Sequence, residues 1–180
     1  MTYALVFLAG LILAPLIAQL RGGAPASLFF AAAAVHLAGG VFSFVQMEEV
    51  LRQVPEAAPA IHDTYYIVHT HRYTMMIGAV LAVIGAIIWA QTRFGAMRYP
   101  AVTKALFWLL HGGTAVSTAF QSPLAALLPV PRQFTDITTW ETVSASGLAA
   151  SLLASLALLG LLALLLWSVV RTLWSKATRP

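Results

Sequence analysis

The sequence predicts an all-α integral membrane protein with about five transmembrane helices, four of which form a cofactor-binding bundle. Of the 180 residues, 60% are hydrophobic and 9% are charged, whereas soluble domains carry about 25% charged residues. The mean hydropathy is +0.85. The chain also contains five apolar runs, each near the roughly 20 residues that a helix needs to cross a bilayer. We expect one transmembrane domain over residues 1–180.

The first two apolar runs, residues 3–20 and 26–47, are predicted to be the first two membrane helices. No positively charged stretch precedes the first run, which disfavours a cleaved signal peptide. Pro15 lies inside that run and is expected to bend the helix. The stretch Arg21-Gly22-Gly23-Ala24-Pro25 between the two runs is typical of a turn.

The remaining three helices are predicted over residues 64–91, 101–120 and 142–170. A basic loop joins the third helix to the fourth. The longest loop, residues 121–141, contains three prolines and precedes the fifth helix, which is rich in leucine and alanine. Tryptophans near the end of the fifth helix are expected to anchor it at the membrane interface.

The distribution of basic residues predicts the orientation. The ends after the first, third and fifth helices carry most of them, namely Arg21, Arg93, Arg98, Lys104, Arg171, Lys176 and Arg179. Because loops rich in Lys and Arg stay in the cytoplasm, the N-terminus is expected outside and the C-terminus in the cytoplasm. The predicted location is a bacterial-type inner membrane. Because this topology accounts for the basic residues, the net charge of +4 does not indicate a nucleic-acid partner.

The chain contains no cysteine. This excludes disulfides, thiolate-ligated iron, iron–sulfur clusters and heme attached through Cys-x-x-Cys-His. A bound metal therefore has to be held by histidine, methionine, tyrosine, carboxylate or backbone oxygen. The sequence also shows no nucleotide-binding motif and no hydrolytic triad.

The third helix begins with the densest polar cluster of the chain, which contains His62, Asp63, His69, His71 and Arg72. Polar residues at the mouth of a membrane helix are expensive and usually functional. His69 and His71 are two positions apart, about 200° around a helix axis, so they are expected to serve different sites. Arg72 is placed to pair with heme propionates, or it is an interfacial arginine that snorkels to the membrane surface.

The run His62-Asp63-Thr64-Tyr65-Tyr66, followed by His-x-His and by Gly78-Ala79-Val80, resembles one helix of subunit I of the heme-copper oxidases. The resemblance implies a magnesium site near the His-Asp pair and two heme irons, one on each histidine of His-x-His. An alignment without gaps puts Thr70 and Arg72 at the family's ligand positions. Either a deletion with a compensating bulge absorbs this one-residue shift, or the histidines have another role.

The second and fourth helices each contain one histidine, His36 and His111, followed within four positions by two glycines. At about 1.5 Å per residue, both lie roughly 15 Å below the outer ends of their helices, and His71 lies roughly 10 Å below its own. Each is a candidate metal ligand, or a histidine that bonds a neighbouring helix. The glycines either leave room for a flat macrocycle or let helices pack closely without a cofactor.

We therefore expect a membrane cytochrome that holds b-type heme through histidines among His36, His69, His71 and His111, near the outer face. It would transfer electrons or reduce oxygen or nitric oxide. Bis-histidine iron only passes electrons, whereas singly ligated iron allows gas chemistry, so an oxidoreductase of the heme-copper oxidase type stays open. Expected partners are the bilayer, an electron donor protein or quinol, and either a homo-oligomer or a larger respiratory complex.

Two other functions stay open. Outward-facing His62, Asp63, His69 and His71 suit a copper-binding or copper-delivery site without heme, and surplus histidines allow copper beside heme as well. The second alternative is a structural subunit of a respiratory complex, in which the histidines form hydrogen bonds.

Overall fold

A computed structural model of the chain describes residues 2–53, 65–121 and 137–177, and side chains over residues 5–46, 49, 52, 72–117, 145–175 and 177. Five helices follow one another: α1 (Thr2–Leu20), α2 (Pro25–Gln53), α3 (Tyr65–Arg93), α4 (Pro100–Gln121) and α5 (Ile137–Ala177). The described ranges contain no strand. The predicted all-α class with five helices is confirmed, and α2 and α5 are longer than the sequence predicts.

Three of the described helices are long and apolar enough to cross a membrane, through Pro25–Gln46 of α2, Arg72–Arg93 of α3 and Ala145–Ser175 of α5. α1 contributes a shorter apolar stretch, Leu5–Leu20. The described part of α4 is less apolar because it carries Lys104, His111 and several hydroxyl side chains. The chain is therefore an all-helical membrane protein in contact with the lipid bilayer.

Two glycine turns end α1 and α3 in the same way. Gly22 and Gly95 have φ angles of 70° and 67°, the left-handed region that favours glycine. Gly23 N–H donates to Ala18 O at 3.1 Å, and Ala96 N–H donates to Gln91 O at 2.7 Å. These bonds are those of a Schellman motif, which caps the last carbonyls and reverses the chain.

Consecutive helices run antiparallel, and small residues set their spacing. A Cβ at Gly78 would lie 3.0 Å from the backbone nitrogen of Leu37 and 3.1 Å from Ala33 O, so α3 packs directly on the backbone of α2. α4 and α5 pack as a second pair, and α2 also contacts α1 and α4. Gly78 of α3 therefore lies at the same height in the bundle as the segment of α2 between Ala33 and Leu37.

The surface is apolar and several polar side chains lie inside, the reverse of a soluble protein. The buried polar residues are His36, Thr74, Gln91, Thr103, His111, Ser117, Ser168 and Thr172. On α5, the exposed face consists largely of leucines, such as Leu152, Leu156, Leu159 and Leu166. This face suits lipid contact, whereas buried polar groups in a membrane protein need a partner or a function.

Gln91 links α3 to α5, because its buried amide Nε2–H donates to Leu165 O at 3.0 Å. We expect Gln91→Leu to lower the free energy of unfolding by only about 0.6 kcal/mol, the average for hydrogen bonds between membrane helices. Leu165 O also retains its acceptor role within α5, which limits the loss. Reversible unfolding in mixed detergent micelles measures the effect; a loss above about 2 kcal/mol, beyond the largest such bonds, would contradict it.

Candidate metal centre

His36 and His111 meet in the middle of the bundle. Each lies eleven residues after the first residue of its helix, Pro25 or Pro100, or about 17 Å along the axis. Both helices start on the same side of the bundle, so the histidines reach the same level. Their ring centroids are 5.7 Å apart with ring planes at 89°, and the side chains are 0% and 2% exposed.

Pro15 explains the position of the His111 ring. A proline has no N–H, so the carbonyl four residues earlier loses its helical donor, and in α1 that carbonyl belongs to Leu11. His111 Nε2 lies 2.7 Å from Leu11 O. Because a carbonyl oxygen only accepts, Nε2 carries the proton and donates it. The neutral His111 ring then has its lone pair on Nδ1.

Three buried ring nitrogens have no hydrogen-bond partner among the described residues: Nδ1 and Nε2 of His36, and Nδ1 of His111. A buried polar group left unsatisfied costs about 1–3 kcal/mol. The fourth such side-chain atom among the described residues is Gln91 Oε1. The other three belong to two rings in contact, so most of the unmet bonding capacity lies at one point. Imidazole nitrogens of this kind are ligands for copper, zinc and iron.

Aromatic side chains enclose the pair. Phe107 stacks on His111 with centroids 5.2 Å apart and planes at 12°, and Phe7 lies edge-on to His36 at 6.1 Å. Trp108 lies 6.3 Å from His111 and donates its indole N–H to Gln19 Oε1, which ties α4 to α1. The surroundings are apolar, and they separate the two imidazoles from water.

These surroundings do not fit a heme between His36 and His111. The donor chemistry suits iron, but His111 offers only Nδ1, whose neighbouring ring carbon bears the side-chain stem, so a macrocycle at this atom would strike it. The space beside the two glycines is also filled by neighbouring helices. A Cβ at Gly39 would collide with the Phe7 ring, and a Cβ at Gly113 would lie 2.6 Å from Ala150 O. These two glycines serve helix packing, the second of the two roles that the sequence allows.

The other candidate ligands are outside the part of the chain whose side chains are described. His69 and His71 fall in the first two turns of α3, where the backbone alone is described, and His62 and Asp63 lie outside the described residues. Residue 71 is seven positions before Gly78, about 10 Å along the axis from the level of the buried pair. Within the described residues, no group of three or more His, Cys, Asp or Glu could hold a metal ion.

Sequence comparison finds similarity to one kind of respiratory protein. The chain is similar to cytochrome c oxidase subunit 1 over about half its length. It is 30% identical over 106 residues to the protein of Cereibacter sphaeroides, covering 56% of this chain and 19% of that protein. It is 31% identical over 93 residues to that of Eremothecium gossypii, covering 49% and 17%. For Yarrowia lipolytica the identity is 29% over 100 residues, covering 53% and 18%.

The chain thus spans less than a fifth of the length of these curated relatives. No family model matches the chain, and no solved structure matches it. The similarity is distant and partial, and it indicates only a relationship to subunit 1 of these oxidases over about half of the chain.

The Leu11 carbonyl, Phe107 and Trp108 were absent from the candidate residues that the sequence suggested. Pro15 was a usable signal for the first of them, because a proline within a helix always frees the carbonyl four positions earlier. The aromatic pair had a weaker signal, since residues three and four positions before His111 share its side of α4. Which helix faced that side could not be read from the sequence.

Proposed function

We propose that this chain is a heme-binding membrane cytochrome in a respiratory oxidase-related role. Its heme, of b type, is held near the outer end of α3, with His71 as the ligand from this chain. It transfers electrons or reduces a small oxidant such as oxygen or nitric oxide. The partial similarity to cytochrome c oxidase subunit 1 motivates heme, and the register of α3 supports the choice of His71 over His69.

The register of α3 separates the two histidines. Buried Thr74, Gly78 and Leu81 define the face of α3 that is turned toward the bundle. Position 71 lies seven residues before Gly78, within about 20° of the same face, whereas position 69 lies nine residues before it, about 180° away. Position 71 therefore shares the helix face of Gly78, and position 69 lies on the opposite face, where we propose that a second subunit binds.

When bound, the heme would supply a one-electron couple, with His71 as the residue of this chain that would hold it. The chain's own residues bind and orient it. Arg72 is exposed one position after His71, where its guanidinium can pair with propionates at the membrane surface. The leucine-rich exposed faces keep the assembly in the bilayer.

The outer face is the proposed side of electron entry. The positive-inside pattern puts the N-terminus outside and the C-terminus in the cytoplasm of a bacterial-type inner membrane. The chain spans less than a fifth of its relatives' length, so we propose that other proteins complete the system. These are an electron donor, either a protein or a quinol, and a second subunit on the side of α3 that carries position 69. A homo-oligomer or a larger respiratory complex would provide that subunit.

The test is a spectrum of the protein purified in detergent after expression with added heme, oxidised and then reduced with dithionite, with a pyridine hemochrome. We expect a reduced α band of b-type heme. His71→Ala should lower the heme content at least about tenfold, because even the loss of an outer-shell partner of a ligand typically costs about 10–100-fold in metal affinity. His36→Ala and His111→Ala are the matched controls, and they should retain it.

Each other outcome has a definite meaning. A colourless protein that binds no heme sinks the cytochrome proposal. Copper without heme, lost in His62→Ala or His69→Ala, favours metal binding at the outer cluster, and neither metal nor heme favours a structural subunit. Heme that depends on His36 and His111 instead of His71 would overturn the assignment of the ligand. A shift of the reduced spectrum with carbon monoxide distinguishes gas chemistry from electron transfer alone.

A further inference from the structure

We propose that His36 and His111 form a second site, independent of the heme, that binds one monovalent soft cation of the copper(I) class. His111 contributes Nδ1 and His36 contributes one ring nitrogen. Leu11 O, freed by Pro15, is the group that orients His111. The proposal goes beyond the cytochrome function, because it needs neither heme nor the histidines of α3.

The spacing of the two rings suits one shared ion. With metal–nitrogen bonds of about 2.0 Å, two imidazoles joined through one ion have ring centroids roughly 6 Å apart. The observed separation is 5.7 Å. No hydrogen bond among the described residues holds either nitrogen of the His36 ring, so one of them is available to an ion shared with His111 Nδ1.

His111 is prepared for this role by its bond to α1. The donation from Nε2–H to Leu11 O fixes the ring orientation and leaves the Nδ1 lone pair for an ion. Second-shell bonds of this type, from a ligand's other ring nitrogen to a carbonyl, raise ligand basicity and are typical of metal-bound histidines. Nδ1 binds a bare ion readily, although it does not suit a macrocycle.

Charge selects the class of ion. The six acidic residues of the chain are Glu48, Glu49, Glu56, Asp63, Asp136 and Glu141. None lies in α1 or α4, and the nearest along α2 is twelve positions beyond His36, about 18 Å away. Two neutral imidazoles cannot offset a divalent charge in an apolar interior, where the desolvation penalty of an ion is severe. A monovalent ion carries a much smaller penalty.

Coordination number leads to the same class. Zinc requires about four ligands, and the described residues around the pair supply only two imidazoles, with phenyl and indole rings filling the other directions. Copper(I) accepts two nitrogen ligands in a nearly linear arrangement. Silver(I) has the same charge, the same preference and no accessible second oxidation state, so it is a practical probe.

The experiment titrates the purified full-length protein in detergent with silver(I), and separately with copper(I) against a copper(I) chelator. We expect one ion per chain and, by X-ray absorption, two ligands of the nitrogen or oxygen class at a short distance, which the histidine variants then identify. His36→Ala and His111→Ala should each weaken binding by more than about 100-fold, beyond the loss typical of outer-shell changes. His69→Ala and His71→Ala are the matched controls, and they should leave the affinity unchanged.

Pro15→Ala tests the positioning of His111. It supplies a helical N–H that competes for Leu11 O, so silver(I) affinity should fall about tenfold, the range for a second-shell change. Nitrogen NMR of His111 should also show a reduced share of the Nε2–H form. A merely structural effect of Pro15 would not move that tautomer.

Three results overturn the proposal: no silver(I) bound by a protein whose helical circular dichroism is intact, binding lost in the α3 variants instead, or an absorption spectrum with three or more ligands or with a sulfur ligand. The heme measurement is separate. A colourless protein that still binds silver(I) at His36 and His111 contradicts only the cytochrome. A protein with heme that binds no silver(I) contradicts only this site.

Discussion

Replacing Phe107 with alanine is expected to lower the free energy of unfolding by about 3 kcal/mol, the low end of the range for Phe→Ala in protein cores. Phe107 is 0% exposed, packs edge-on against Phe29 with centroids 4.8 Å apart, and stacks on His111. Lipid tails are as apolar as the core, so the transfer contribution shrinks. The cavity and the lost contacts between α2 and α4 account for most of the effect.

The matched control is Leu109→Ala on the same helix. Leu109 is 44% exposed on a lipid-facing side, and its truncation should change stability by less than about 0.5 kcal/mol, as for other surface substitutions. Reversible unfolding in mixed micelles, followed by circular dichroism, compares the two variants. Equal losses for Phe107→Ala and Leu109→Ala would show that Phe107 is not a packing residue.

Gly113→Ala is expected to destabilise the α4–α5 pair by about 2 kcal/mol. Overpacking against backbone atoms is expected to cost about 3 kcal/mol, the top of its usual range, and helix propensity returns about 1 kcal/mol of that. A Cβ here would lie 2.6 Å from Ala150 O, 2.9 Å from Ala154 Cβ and 3.1 Å from Ala154 N. Two of these atoms are backbone, so α4 and α5 must separate to admit the methyl group.

The neighbouring glycine provides the control. A Cβ at Gly112 meets no described atom within 4 Å, so Gly112→Ala should be neutral or stabilise the protein by up to about 1 kcal/mol through helix propensity. Both substitutions have the same chemistry one position apart. The same unfolding assay measures them, and a stability order of Gly113→Ala above Gly112→Ala would contradict the close approach of α4 to α5.

Much of the architecture was predictable because it depends on local sequence. Apolar runs of spanning length predict the helices. The stretch from Arg21 to Pro25 predicts the first turn, which contains Gly22 in the left-handed region. Helix ends were less predictable. α5 begins at Ile137 and ends at Ala177, beyond the predicted 142–170, because helices continue through polar residues that a hydropathy pattern excludes.

The candidate site was predictable in part. His36 and His111 were candidates because each is a histidine inside an apolar run, and equal distances from Pro25 and Pro100 make their common level a consequence of helical rise. The role of the neighbouring glycines was ambiguous. Contacts with Phe7 and Ala150 assign Gly39 and Gly113 to packing, and no sequence pattern specifies which side chain fills such a gap.

The sequence alone determined the membrane class, the five helices, the absence of cysteine chemistry and the polar cluster at the start of α3, since each depends on residue type and local spacing. The tertiary structure alone decided that His36 meets His111, that Leu11 O occupies His111 Nε2, and that Phe7 and Phe107 close the space around them. The physical reason is the difference between periodicity and packing. Helical periodicity places a residue on a face, whereas contacts among α1, α2 and α4 depend on how side chains from distant parts of the chain fit together.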